Sequence, residues 1–372
     1  MTNYLQSLSE TLRAYGVDKP VAVVDLDRLD ANCALAVDRS DDGLDRRLVA
    51  KSLPCLPLLD HVRGLIQTSG LMTFSEPMLL ALLKAEPKAD HLIGKPLPIR
   101  SAARVLSECP DAAARVQWLI DSSERLQSYL ALAADRQLAL RLSLEVDIGL
   151  HRGGFQPDQV ARIAQEIETN PNARLSGVMG YEAHLAKLPH FLRKRAFRAS
   201  ADAFDHAVSS LPNEAKGLCL NTGGSLTFQS YRTTGKTTEI AFGSVLVKPT
   251  DFDHKTTQGF KPAAFIATPV LKTMPGNSLP GLDFLARQKT DLAIFGGYFR
   301  AKPVFPNGFG NSSIFGRSTN QEVWTGPPDA PVKPGDIALL HPSQSEAVLN
   351  QFGIVLAVRG GQVVEEWECL PN

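Results

Sequence analysis

The chain has 372 residues, 44% of them hydrophobic, with 39 basic and 39 acidic side chains. That length supports one large domain plus a smaller one, or two medium ones, and a net charge of zero gives no electrostatic reason to expect nucleic acid or an anionic membrane as partner. No apolar run approaches the ~18 residues of a membrane span, the N-terminal MTNYLQSLSETLRAYGV is amphipathic rather than signal-like, and five scattered cysteines (33, 55, 109, 219, 369) without a CxxC pair point to reduced thiols in a cytoplasmic protein.

In chain order, short apolar β-branched runs alternate with segments of helical period. VAVVDL (21–26) precedes DRLDANCALAV, RRLVAKS (46–52) precedes CLPLLDHVRGLI, and LMTFS (71–75) precedes EPMLLALLKA. DHLIGK (90–95), VQWLID (116–121) and LALRLSLEVD (138–147) each lead into a further helical segment. LSGVMGYE (175–182) precedes a helix over 189–211, and GLCLNTGG (217–224) reads as the eighth strand. Eight alternations in about 230 residues match a (β/α)8 TIM-type barrel, with a doubly wound open sheet as the alternative. After about residue 255 the pattern changes to strands with Gly/Pro-rich connections: AAFIATPVLKTM, LAIFGGYF, IALLHP and the hairpin-like GIVLAVRGGQVVEEWECL. The expected organisation is an α/β barrel over 20–255 and a C-terminal all-β domain over 256–372, with the N-terminal helix (1–19) a candidate to pack on the latter.

Functional groups of such a barrel stand at the C-terminal ends of its strands. Here those ends carry Lys51, Ser75, Lys95, Asp121, Glu145 with Asp147, Tyr181 with His184, and Asn221 with Thr222. One polar strand end is explained by a chain leaving a core; several, a lysine among them, weaken that explanation. The run NTGGS (221–225) brings two glycines between hydroxyl side chains. It reads either as an ordinary turn or as a phosphate cradle, and barrels bind phosphate in their last loops. A lysine early in the barrel and a phosphate cradle late in it could together hold a phosphorylated aldehyde as a Schiff base, and pyridoxal 5′-phosphate (PLP) fits that description. A sugar-phosphate enzyme whose lysine forms an imine with its substrate is the other reading.

These segments resemble the fold-type III PLP enzymes, whose barrel is shared by alanine racemases, D-threonine aldolases and D-serine dehydratases, and most of all the aldolase and dehydratase branch. AVVDLDRLDAN (22–32) is similar to the family's opening strand and helix. RLVAK (47–51) resembles its R-x-x-x-K segment, which implies Lys51 as the Schiff-base lysine and Arg47 as a neighbour of the cofactor. EVDIGLHRGGF (145–155) resembles D-x-G-x-x-R-x-G, which implies Arg152 facing the pyridine nitrogen. GVMGYEAH (177–184) supplies Tyr181 beside the cofactor. Asn221, Thr222, Gly223, Gly224 and Ser225 make the phosphate loop, with Gly243 and Ser244 of TEIAFGS (238–244) as its second edge. An arginine opposite the ring nitrogen leaves that nitrogen unprotonated, which suits racemisation or lyase steps and not transamination.

Relatives on this branch carry a metal site in the C-terminal domain, from a P-x-H-x-C or H-x-D segment. The matching stretch here is HPSQSEAVLNQF (341–352), with Gln344 and Glu346 on the ligand positions, and STNQE (318–322) also lacks imidazole. Glutamine is a poor ligand and the His/Cys pair is missing, so no metal residues are assigned. Asn320, Gln321, Gln344, Ser345 and Glu346 are instead candidates to bind the substrate's distal group; holding a hard divalent cation through oxygen, or forming a polar surface turn, are the alternatives. The resemblance implies a PLP-dependent lyase acting at Cα of a small D- or β-hydroxy amino acid, with Lys51, His184 and Tyr181 as catalytic residues and a homodimer as the assembly. A racemase is the runner-up, for which Tyr298, the one tyrosine after position 231, is the candidate second base. A non-catalytic PLP-binding protein is the remaining alternative.

Overall fold

The structure is a computed structural model that describes residues 2–211 and 215–372. It divides into two compact units, one of residues 33–245, 254–259 and 370–372, the other of residues 1–32, 246–253 and 260–369. The first elements in the chain, α1 (Thr2–Tyr15) and β1 (Val21–Asp25), fall in the second unit, and α2 (Leu26–Arg39) follows them.

The first unit is a closed barrel of eight parallel strands: β2 (Asp45–Val49), β3 (Gly70–Thr73), β4 (Asp90–Ile93), β5 (Val116–Ile120), β6 (Leu140–Val146), β7 (Ala173–Gly180), β8 (Cys219–Thr222) and β9 (Glu239–Phe242). Closure comes from β2 against β9, in register from Asp45↔Glu239 to Leu48↔Phe242. The helices between are α3 (Leu56–Ile66), α4 (Glu76–Ala85), α5 (Ile99–Glu108), α6 (Ala112–Arg115), α7 (Ser123–Arg136), α8 (Val160–Glu168) and α9 (His190–Ser209). Local chemistry sets their limits. In α7 the Ser122 hydroxyl accepts the Arg125 N–H, Leu126, Tyr129, Leu130 and Ala133 repeat at helical spacing on the buried face, and Gln137 ends the helix in the left-handed region. Strand period does the rest: on β6, Leu140, Leu142 and Leu144 join the apolar layer under the helices, which leaves Arg141, Ser143 and Glu145 for the barrel interior.

The strand count therefore shifts by one from the sequence expectation. VAVVDL is a strand, but it does not open the barrel: β1 pairs antiparallel with β10 (Val21↔Ala267) and parallel with β18 (Ala22↔Val355). GLCLNTGG is the seventh barrel strand and TEIAFGS contributes the eighth. A short, wholly buried run looks the same in a barrel and in an open sheet, because only its distant pairing partners distinguish the two.

The second unit continues through β10 (Ala264–Pro275), β11 (Ser278–Leu279), β12 (Leu282–Ala286), β13 (Thr290–Phe295), β14 (Ala301–Phe305), β15 (Gly310–Asn311), β16 (Gln321–Gly326), β17 (Ile337–Pro342), β18 (Ile354–Arg359) and β19 (Gln362–Glu368). The main sheet runs β15-β16-β13-β10-β1-β18-β19, with β17 joined to β10 and β14. Helix α1 lays Leu5, Leu8 and Leu12 into one cluster with Val21, Val23, Phe265, Leu339 and Leu356, and the Ser9 hydroxyl donates to the Ile337 carbonyl at 2.7 Å. No helix of the described residues is long and apolar enough to cross a membrane.

Candidate active site

Strand β2 ends at Val49 and tightens into a 3-10 turn, Ala50–Ser52, that carries Lys51. Ala50 and Ser52 are fully buried, so the turn is anchored on both sides of the lysine. The Ser52 hydroxyl bonds to that of Ser244 at 2.9 Å. A Cβ on Gly243 would stand 2.8 Å from the Val49 carbonyl oxygen, so the turns after β9 and β2 close up only because Gly243 has no side chain. Lys51 Nζ lies 4.3 Å from the centroid of the Phe74 ring, which leaves the end of β3.

The NTGGS turn divides its tasks. Asn221 donates its amide to Glu239 at 2.7 Å and the Thr222 hydroxyl meets that of Thr237 at 3.0 Å, so both buried side chains are engaged in the barrel wall. Gly224 gives its N–H to the Thr227 hydroxyl at 3.0 Å, and a Cβ there would come within 2.8 Å of the Tyr181 ring. The Ser225 hydroxyl accepts the N–H groups of Val245 (3.1 Å) and Gly243 (3.4 Å), which joins this turn to the one after β9. Ser225, Gly243, Ser244 and Ser52 thus form one neighbourhood at the strand ends.

Opposite them, Asp147 organises the loop after β6. Its Oδ1 accepts the N–H groups of Gly149 (3.0 Å) and His151 (2.9 Å), and its Oδ2 meets His151 Nδ1 at 2.8 Å. Burial pushes Asp147 up, but these bonds prevail and hold it below the usual carboxylate range. The next residue, Arg152, places its guanidinium carbon 5.5 Å from the centroid of the Tyr181 ring. Burial raises Glu145 against the pull of Arg152. His184 follows in the turn Ala183–Lys187 and packs near Gly149. Burial, then the neighbouring His151, lowers its pKa. Glu182, between Tyr181 and Ala183, is wholly buried and pushed up by that burial, though Thr227 donates to it. Sequence reading passed over Glu182; the signal available was a carboxylate directly after an apolar strand.

Arg47 is held elsewhere in the barrel. Its Nε donates to Glu239 at 2.5 Å, one terminal nitrogen to the carbonyls of Leu71 (3.1 Å) and Asp90 (2.9 Å), and the other to the carboxylates of Asp90 (2.7 Å) and Glu239 (2.8 Å). All five guanidinium donors are satisfied inside the barrel, so none is left for a ligand. Arg141 and Gln117 complete the layer by bonding Asp90 at 2.5 and 2.7 Å.

The remaining sequence candidates belong to the second unit. Asn320 and Gln321 present their backbone N–H groups to the Ser318 hydroxyl (3.4 and 3.3 Å), and Gln321 opens β16. Ser345 is buried and its carbonyl accepts Val348 and Leu349 (3.1 and 2.9 Å), while Gln344 and Glu346 flank it. Among the described residues no group of three or more His, Cys, Asp or Glu side chains could hold a metal ion. Tyr298 stands in the left-handed region (φ 54°) with 62% of its surface exposed. The buried Glu322 takes its N–H, and Arg317 lies 5.0 Å from the centroid of its ring.

Residues 24–250, well over half of the chain, match the family model described as alanine racemase, N-terminal domain. The chain belongs to this family. It is therefore a fold-type III PLP protein, and PLP is the cofactor of that superfamily. The alanine racemase of Acidithiobacillus ferrooxidans is 30% identical over 104 residues, 27% of this chain and 28% of that protein, so the match spans little more than a quarter of the curated relative. Solved structures align along nearly the whole chain. The D-threo-3-hydroxyaspartate dehydratase of Delftia sp. HT23 gives a TM-score of 0.78 at 17% identity, covering 97% of this chain and 99% of its own. The D-threonine aldolase of Filomicrobium marinum gives 0.75 at 16% identity, covering 94% and 96%. The alanine racemase of Clostridium difficile 630 gives 0.75 at 14% identity, covering 96% and 100%. At such identities the likeness is one of fold, and this family member shares its barrel and strand-rich second region with aldolase, dehydratase and racemase alike.

Proposed function

We propose that this protein is a PLP-dependent lyase, of aldolase or dehydratase type, acting at Cα of a small D- or β-hydroxy amino acid. The supporting observation is that one barrel mouth carries an amine (Lys51), a guanidinium stacked near a phenol ring (Arg152, Tyr181) and two joined turns opened by glycines (223–225 and 243–244). The hydroxyls of Ser225, Ser244 and Ser52, gathered where these two turns join, are donors of the kind a phosphate takes, so these residues fit the cofactor. When bound, PLP supplies an aldehyde for amines and an electron-withdrawing ring.

The chain's own residues supply the rest. Lys51 is the amine for that aldehyde and, once released, a base for the substrate's Cα. A guanidinium can only donate, so a ring nitrogen facing Arg152 remains unprotonated; bond cleavage assisted by a nearby base is favoured over transamination. The Ser225 hydroxyl already accepts two N–H groups, which directs its proton outward as a donor to a phosphate oxygen. His184, lowered by burial, rests as neutral imidazole and can take a proton. The test is incubation with PLP, then borohydride: the protein should turn yellow, bleach, and carry the label on Lys51. A protein that stays colourless overturns the proposal. D-Threonine, D-serine and both alanine enantiomers, assayed with and without EDTA, then assign the reaction.

A racemase is the second reading, and one observation favours it. Tyr298 is exposed at a positive φ that costs on the order of 1 kcal/mol, and is kept there by the buried Glu322 and by Arg317. Loss of the α-deuteron from labelled alanine, abolished in Tyr298→Phe, would select this reading.

A further inference from the structure

We infer that Glu182 is a positioning residue for the phosphate cradle: through the Thr227 hydroxyl it fixes the turn 223–227 and so sets the affinity of the barrel mouth for a phosphate monoester. This rests on the cofactor reading above. A wholly buried carboxyl is costly unless it is hydrogen-bonded, so its partner indicates what it is there to hold. That partner lies in the segment after β8: Thr227 donates to Oε1, while Oε2, also buried, meets no donor among the described residues.

Thr227 passes the constraint on. Its hydroxyl accepts the Gly224 N–H at 3.0 Å, while the N–H groups of Thr227 and Phe228 both return to the Gly224 carbonyl at 2.9 Å. A hydroxyl that accepts on one side and donates on the other is fixed in rotation, and the turn is fixed with it. The Tyr181 ring stands where a Gly224 Cβ would go, so that glycine is bounded by Tyr181 and bonded to Thr227. The Gly224 N–H is consequently taken by Thr227. The donors for a phosphate are the later ones, from Ser225 onward and across the joint to Ser244.

The test compares PLP with unphosphorylated pyridoxal, both titrated by their absorbance on Lys51, in the wild type, Glu182→Gln, Glu182→Leu and Thr227→Val. The wild-type preference for PLP measures the phosphate contribution alone. Glu182→Gln keeps the acceptor and should hold that preference within about threefold, whereas Glu182→Leu and Thr227→Val should reduce it by about tenfold or more. A merely structural role weakens both ligands alike; an unchanged preference in folded Glu182→Leu or Thr227→Val overturns the inference while the cofactor reading stands. If Glu182→Leu does not fold, Thr227→Val decides by itself. A wild type that takes up neither ligand overturns the cofactor reading and this inference with it.

Discussion

Arg47 and Lys51 lie four residues apart where β2 runs out, and Arg141 and Glu145 lie four apart on β6, yet the two ends of the barrel treat their charges differently. In the layer of Arg47, two guanidiniums meet the two carboxylates of Asp90 and Glu239, and the donors of Arg47 are all matched. At the mouth, Glu145 has Arg152 and Arg125 near it but Asp121 and Asp147 as well. The carboxylates report the contrast. Burial acts upward on both, but Arg47 and Arg141 outweigh it and bring Asp90 down to about 2, whereas burial wins at Glu145. Complete pairing locks a group in its charged form and serves stability; incomplete pairing leaves groups able to exchange protons, which is what chemistry requires.

That contrast can be broken from either end. The largest effect is expected from Lys51→Ala, which should lower activity by about 10³-fold or more and abolish the borohydride-fixed label, while the urea midpoint moves little. Arg47→Met should do the reverse. It strands the Glu239 carboxylate in the interior and should cost about 3–5 kcal/mol in chemical denaturation. A folded Arg47→Met of wild-type stability that had lost cofactor affinity would return Arg47 to the ligand.

Acid should act on the closed end next. His91 on β4 is fully buried, its ring nitrogens lack hydrogen-bond partners, and burial followed by the charges of Arg115 and Arg47 lowers it from 6.5 to about 3. The unfolded chain then takes the proton first, so stability is whole above about pH 6.5 and declines as the pH falls toward 3. By pH 5 the loss should be about 2 kcal/mol, and His91→Leu should flatten that slope in urea titrations at pH 7 and 5. Asp90 adds a further loss of the same sign from its ordinary 3.8 down to about 2. The smallest effect is expected at the mouth from Gly224→Ala. The new methyl presses on a Tyr181 ring that is partly exposed and can shift, so stability should fall by only about 1 kcal/mol, with PLP affinity reduced several-fold in a fluorescence titration.

The strands, their polar ends and the NTGGS turn were legible because each is a local pattern: alternation on β6, an apolar run closing on Lys51, two glycines after β8. Membership of the barrel was not local. Nothing within VAVVD distinguishes pairing with Ala264–Ala267 and Val355–Val358 from pairing inside a barrel. The same holds for roles within one motif. RLVAK placed an arginine and a lysine together, but which one faces the mouth was decided by carboxylates on β4 and β9, more than 40 and 190 residues away. Glu182 was invisible for the same reason, since its meaning lies in Thr227, 45 residues on. Sequence by itself determined which segments become strands and which side chains stand at their ends, because backbone period and side-chain chemistry are carried locally. Only the tertiary structure decided which of those side chains are already satisfied, because a donor's partner is chosen by the fold.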